Sequence, residues 1–132
     1  MTASTASAAS AKETILVVDD HPTNLKLAAA VLESEGYRVL QAMDAEAAQR
    51  LIANSPPDLI LMDIQMPVMD GCTATKAIRS WERDHDLPAT PVIALTALAL
   101  REEGTRILEA GCNTHITKPV KKSTLLEILQ AY

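Results

Sequence analysis

The sequence predicts an α/β fold in which five parallel strands form one sheet with helices on both faces. Short aliphatic runs alternate with amphipathic segments about every twenty residues from residue 13 onward, as in chains whose strands are joined by crossover helices. The runs at 15–18 and 59–62 are entirely apolar, and each is followed directly by aspartate. Such runs are typical of strands that are buried on both faces and end at a polar edge of the sheet.

Local signals assign the elements in chain order. Pro22 suits the first turn of a helix whose apolar residues recur at helical spacing, and Gly36 ends that helix. Asp44 is placed to cap the second helix, and Pro56 with Pro57 stops it. The strands are predicted at 15–18, 38–42, 59–63, 92–96 and 114–117; the third helix follows Gly71, the fourth covers about 100–110 and the fifth closes the chain.

Several polar residues stand where the predicted strands end. Right-handed crossovers bring the carboxyl ends of all strands to one edge of the sheet. In the doubly wound order 2-1-3-4-5, strands one and three are neighbours at the switch point where ligands bind. Asp19, Asp20 and Asp63 are therefore expected to converge, with Thr96 and Lys118 ending the next two strands. Three carboxylates repel one another, and their hard oxygen ligands suit Mg²⁺.

Size and composition exclude several classes of protein. The 132 residues suit one domain, which we assign to 14–132 and which follows a disordered Ala/Ser/Thr-rich tail at 1–13. A net charge of −5 argues against direct nucleic-acid binding, and no apolar run approaches the roughly 18 residues of a membrane span. Cys72 and Cys112 lack metal-ligand spacing, so we expect free thiols and a cytoplasmic location.

Five short motifs resemble those of the receiver domains of bacterial two-component response regulators. The resemblance extends from about residue 15 to residue 131, and the segment 61–67 is most similar to receivers attached to hybrid sensor kinases. It implies the flavodoxin-like version of the predicted fold, with five helices. The motifs are Val-Val-Asp-Asp at 17–20, Asp-Leu-Ile-Leu-Met-Asp at 58–63, Met-Pro-Val-Met-Asp-Gly at 66–71, Ala-Leu-Thr-Ala at 94–97 and Lys118-Pro119.

The resemblance implies that Asp63 is a phosphoacceptor whose carboxylate becomes an acyl phosphate. Asp20, Asp63 and the backbone carbonyl of Gln65 would ligate Mg²⁺, or Mn²⁺ in its place, with Asp19 acting directly or through a water. Lys118 would hold the phosphoryl oxygens as a flexible point charge.

Activation in relatives also involves a hydroxyl and an aromatic ring. The resemblance implies that the Thr96 hydroxyl binds the arriving phosphoryl group and that this movement repacks the face formed by the fourth helix, fifth strand and fifth helix. His115 stands where receivers usually carry Tyr or Phe, which puts the aromatic part of this switch in question. Gln65 and Leu98 occupy positions that tune hydrolytic water in relatives, which leaves the lifetime of the phosphoryl group open.

The implied partners are a sensor histidine kinase or histidine phosphotransfer protein as donor and a protein target at the repacked face. The resemblance also allows a phosphorylation-dependent dimer, and it fits either a stand-alone receiver or a piece of a hybrid kinase.

Two other functions compete with this one. A docking-only pseudo-receiver is disfavoured by the intact acids, Thr96 and Lys118. A phosphohydrolase of the haloacid dehalogenase type needs a second acid two positions after the nucleophile, where this chain has Gln65, so we do not expect a turnover enzyme. His21 and His85 are interpreted as solvated loop residues.

Overall fold

The computed structural model describes residues 14–64, 71–96, 101–117 and 121–130, without the side chains of 101–103. Five strands and five helices alternate along these segments. The predicted tail, Gln65, Leu98 and Lys118 lie outside the described residues. The elements are β1 (Thr14–Val18), α1 (Pro22–Ser34), β2 (Arg38–Ala42), α2 (Ala45–Asn54), β3 (Leu59–Asp63), α3 (Gly71–Asp84), β4 (Val92–Thr96), α4 (Arg101–Ala110), β5 (Thr114–Thr117) and α5 (Lys122–Gln130).

All strand pairs are parallel, and the order across the sheet is β2-β1-β3-β4-β5, which confirms the predicted 2-1-3-4-5 topology. Every residue of β3 and β4 is buried, as their continuous apolar sequences predict for central strands covered on both faces. The edge strands β2 and β5 are only partly buried.

The helix boundaries follow the predicted signals. Pro22 is the first residue of α1, and Gly36 adopts φ of 93° in the turn after its last residue, a conformation that glycine reaches without steric cost. Asp44 caps α2 because its Oδ1 accepts a hydrogen bond of 2.7 Å from the amide of Ala47. None of the described helices combines the length and apolar character needed to cross a membrane.

The sheet separates two aliphatic layers. One contains the inner faces of α2, α3 and α4, and the other contains those of α1 and α5. Cys72 and Cys112 are buried free thiols in the first layer, as predicted. Burial raises the pKa of the Cys112 thiol, although a hydrogen bond with Thr75 and the charge of Arg79 partly offset that rise.

A buried ion pair ties together the edge of the sheet opposite the strand carboxyl ends. Arg79 on α3 donates to Glu82 Oε1 at 2.8 Å, to the carbonyl of Thr90 at 2.7 Å and twice to the carbonyl of Gly111. The second oxygen of Glu82 accepts the amide of Thr90 at 2.7 Å. The segments that lead into β4 and β5 are thereby fixed to α3. This ion pair lies away from the carboxyl edge of the sheet, where the predicted site residues stand.

Candidate metal centre

Strand register brings the predicted acids together. Val18 on β1 pairs with Met62 on β3, so the next residues of the two strands, Asp19 and Asp63, are neighbours at the carboxyl edge. On the other side of β3, Asp63 pairs with Leu95 of β4, and Thr96 follows one residue later. The predicted convergence of Asp19, Asp20 and Asp63 is present in the structure.

One ligand atom from each of Asp19, Asp20, His21 and Asp63 lies within 4.8 Å of all the others. Asp63 and Asp19 are buried, with only 1% and 3% of their surfaces exposed, whereas Asp20 is half-buried and His21 is exposed. Burying a carboxylate is costly unless it is paired or bound to a cation, so three acids gathered at this depth suit a cation-binding role.

Backbone hydrogen bonds orient the two acids that follow β1. The amide of Asp19 donates to the carbonyl of Ala42 at 3.0 Å, which extends the β1–β2 pairing by one residue. Oδ1 of Asp19 in turn accepts the amide of His21 at 2.9 Å, a local turn that aspartate commonly forms. Asp19 therefore shapes the loop as well as contributing an oxygen to the cluster.

The cluster has the chemistry of a site for a hard cation. Two unit charges 4.8 Å apart repel by roughly 3.5 kcal/mol at an effective dielectric constant of about 20, and three carboxylates multiply that effect. Oδ1 of Asp20 is buried and accepts no hydrogen bond from any described residue. His21 Nδ1 lies 2.9 Å from it, but this contact lacks the alignment of a hydrogen bond. An open oxygen among close carboxylates fits Mg²⁺.

Two residues at the site were not identified by sequence reasoning. His21, interpreted as a solvated residue, is exposed, but its ring contacts both preceding aspartates, at 2.9 Å and 3.4 Å. Gly71, the first residue of α3, packs so closely under β3 that a Cβ atom there would lie 2.6 Å from the carbonyl oxygen of Asp63. Its place after Asp70, just before an amphipathic run, predicted a helix start and gave no sign of this approach.

The remaining predicted residues occupy different positions. Thr96 is fully buried at the end of β4, on the same edge as Asp63. His115 is exposed on β5. The next residue of that strand, Ile116, pairs with Leu95 of β4. The described residues do not extend to Gln65 or Lys118, so their roles stay predictions.

Comparison with known proteins identifies the class to which this fold and site belong. Residues 15–130 match the family model of the response regulator receiver domain, and the chain therefore belongs to that family. Receiver domains are phosphoacceptor signalling domains of two-component systems and are not classical enzymes, which confirms the predicted function class.

The chain is similar to receivers in two settings. Sensor histidine kinase GacS of Pseudomonas protegens is 40% identical over 115 residues, which make up 87% of this chain but 12% of that kinase. Polar-differentiation response regulator DivK of Brucella ovis is 34% identical over 120 residues, 91% of this chain and 95% of DivK. This chain thus resembles a small part of a hybrid kinase and nearly the whole of a stand-alone regulator.

A solved relative carries a metal. The receiver domain of sensor histidine kinase PA1611 from Pseudomonas aeruginosa has a TM-score of 0.80 at 41% identity, covering 92% of this chain and 98% of that domain. Its structure has a magnesium ion coordinated in the active-site cleft.

Proposed function

We propose that this receiver domain accepts a phosphoryl group on Asp63 in a reaction that depends on Mg²⁺, and that phosphorylation alters a protein-docking face. The convergence of Asp19, Asp20 and Asp63, with an open buried oxygen on Asp20, carries this proposal. Asp63 ends a fully buried strand and pairs with Leu95 of β4, one residue after Met62 pairs with β1, so its backbone is fixed in the sheet.

The transfer forms one bond and breaks another. A carboxylate oxygen of Asp63 attacks the phosphorus of a phosphohistidine, and the P–N bond breaks as the O–P bond forms. The electron pair of the broken bond stays on the imidazole nitrogen, which regains a proton as it leaves. Bound Mg²⁺ would neutralise negative charge on the phosphoryl oxygens. Asp19, Asp20, Asp63 and the backbone carbonyl of Gln65 would hold that ion, and Mn²⁺ has the same preference for oxygen ligands.

Lys118 and Thr96 complete the proposed chemistry. The Lys118 ammonium group would pair with the phosphoryl oxygens as a mobile charge. The hydroxyl of Thr96 would donate a hydrogen bond to one of them, because Thr96 ends the strand next to Asp63. Hydrolysis of the acyl phosphate by the domain itself belongs to the same proposal.

The docking face is assigned to α4, β5 and α5. Leu108 on α4 is 56% exposed and His115 on β5 is exposed, so an apolar and a polar side chain are available to a partner. A Cβ atom on Gly104 would lie 3.8 Å from the His115 ring, which places α4 and β5 on a common surface. We assign the donor as a sensor histidine kinase or histidine phosphotransfer protein in the cytoplasm, and phosphorylation-dependent dimerisation as one use of this face.

Intact-protein mass after incubation with acetyl phosphate and Mg²⁺ tests the acceptor. One added phosphoryl group is expected on the parent and none on Asp63→Asn. Asp58→Asn is the matched control, because Asp58 precedes the same strand at its opposite end and its carboxylate caps the amide of Thr14 at 2.8 Å. Addition to Asp63→Asn would place the acceptor elsewhere. No addition to a folded, Mg²⁺-binding parent would favour a docking-only module or strict dependence on a protein donor.

Thermal unfolding with and without Mg²⁺ tests the metal site. An ion that binds only the native state raises the melting temperature, and Asp20→Ala should remove most of that rise because it deletes the open oxygen. An equal response in parent and variant would move the ion away from the cluster. Lys118→Ala should impair phosphorylation while leaving the Mg²⁺ response intact.

A further inference from the structure

The ring of His21 is aimed at the acidic cluster. Its Nδ1 atom lies 2.9 Å from Oδ1 of Asp20 and 3.4 Å from Oδ1 of Asp19, and it belongs to the group of four ligand atoms that includes Asp63. Its side chain is 65% exposed, so an ion from solvent can reach the nitrogen. The cluster is therefore a mixed nitrogen and oxygen donor set.

The side chain of His21 does not cap the helix that follows it. This residue occupies the N-cap position of α1, yet its side chain makes no capping hydrogen bond to the helix. The local turn uses only its backbone amide, which donates to Asp19. The Nδ1 atom of His21 and Oδ1 of Asp20 lie 2.9 Å apart, and that oxygen accepts no hydrogen bond from any described residue.

Donor type determines which divalent ions a site prefers. Mg²⁺ selects oxygen ligands in near-octahedral geometry and retains waters, and it gains little from an imidazole. Zn²⁺, Ni²⁺ and Co²⁺ bind imidazole readily, and they bind a given nitrogen and oxygen site more tightly than harder ions do. Replacing an oxygen-only set by one with His21 therefore favours transition ions over Mg²⁺.

We infer that His21 is a metal ligand that gives this site selective affinity for divalent transition ions, which bind through Nδ1 together with the carboxylates of Asp19, Asp20 and Asp63. Such an ion would occupy the position proposed for Mg²⁺ and compete with it. The inference shares the carboxylates of the proposed function but does not require phosphoryl transfer.

Visible absorption of Co²⁺ titrated into untagged protein, with Zn²⁺ back-titration, measures this directly. Loss of one ligand in His21→Asn should weaken Co²⁺ and Zn²⁺ binding by at least about tenfold, since altering even the residues that only support metal ligands costs that much affinity. The substitution should also change the Co²⁺ spectrum. Mg²⁺ affinity, measured from the rise in melting temperature, should change by less than about threefold, because Mg²⁺ does not require imidazole.

His85→Asn is the matched control. His85 is an exposed histidine near the end of α3 whose Nδ1 lies 2.8 Å from the carbonyl of Trp81, and its ring packs on the Trp81 ring with centroids 4.5 Å apart. The His85→Asn variant should bind Co²⁺ and Mg²⁺ with the affinities of the parent.

Each outcome decides between ligand and non-ligand roles. Equal losses for Co²⁺ and Mg²⁺ in His21→Asn would overturn the inference, because the ring would then only position Asp20. Unchanged Co²⁺ affinity and spectrum would also overturn it. A His21-dependent Co²⁺ site in a protein that takes no phosphoryl group from either acetyl phosphate or a phosphorylated histidine phosphotransfer protein would support the inference while refuting the proposed function.

Discussion

Replacing Gly71 by alanine tests how tightly α3 holds the proposed phosphoacceptor. A Cβ atom at Gly71 would lie 2.6 Å from the carbonyl oxygen of Asp63 and 2.6 Å from Cα of Ile64. Both are backbone atoms that cannot rotate aside, and the amide of Gly71 is already bonded to the Ile64 carbonyl at 3.2 Å. The first turn of α3 or the end of β3 must therefore move.

The net cost follows from two opposing effects. Overpacking a well-filled site costs about 1–3 kcal/mol. Alanine recovers up to roughly 1 kcal/mol relative to glycine by restricting the unfolded chain and favouring the helix. Gly71→Ala should therefore lower the free energy of unfolding by about 1–2 kcal/mol. Phosphorylation of Asp63 should also slow, because the displaced peptide group belongs to the acceptor residue.

Gly104→Ala supplies the matched control in urea unfolding followed by circular dichroism. Gly104 lies inside α4, and among the described residues its added Cβ would meet only the His115 ring, at an ordinary 3.8 Å. This variant should gain about 0.5–1 kcal/mol, so the same substitution has opposite signs at the two sites. If Gly71→Ala were as stable as the parent or more stable, with an unchanged denaturant slope, the close approach would not constrain the site.

Three further predictions concern the rest of the fold. Arg79→Ala should lower the free energy of unfolding in urea by about 3–5 kcal/mol, because it leaves Glu82 buried without its partner. Arg50→Ala, in an exposed helical pair, should lower it by about 0.5 kcal/mol or less. Equal losses in the two variants would contradict the role of burial. Asp44→Ala should lower the free energy of unfolding by about 1 kcal/mol in the same assay, because the helix cap is lost. An unchanged free energy of unfolding would mean that the capping hydrogen bond to Ala47 contributes nothing to stability. Because the pKa of Cys112 is raised in the folded state, its contribution to stability is complete below pH 9.0, the ordinary thiol value, and declines as the pH rises from 9.0 through the folded pKa. Cys112→Ala should lack this decline in the free energy of unfolding at alkaline pH. A parent protein that shows no such decline would refute the effect of burial.

Much of the fold could be predicted because its signals are local. The apolar runs of β3 and β4, each closed by one polar residue, identify central strands, and Asp44 and Pro22 mark helix starts, since capping and proline geometry act within one turn. The alternation of strands and helices predicts a parallel doubly wound sheet, whose 2-1-3-4-5 order brings Asp19 and Asp63 to one edge without knowledge of any side-chain contact.

Tertiary structure decided the features that depend on distant segments meeting at particular distances. The approach of Gly71 to Asp63 and the burial of Glu82 with Arg79 against Gly111 join segments separated in the chain, and no periodic pattern encodes them. The sequence also did not predict the orientation of the His21 ring, because a histidine that follows two aspartates can face either the solvent or the acids. The sequence by itself thus determined which residues end the strands, whereas packing decided which neighbouring groups lie against them and hold them in place.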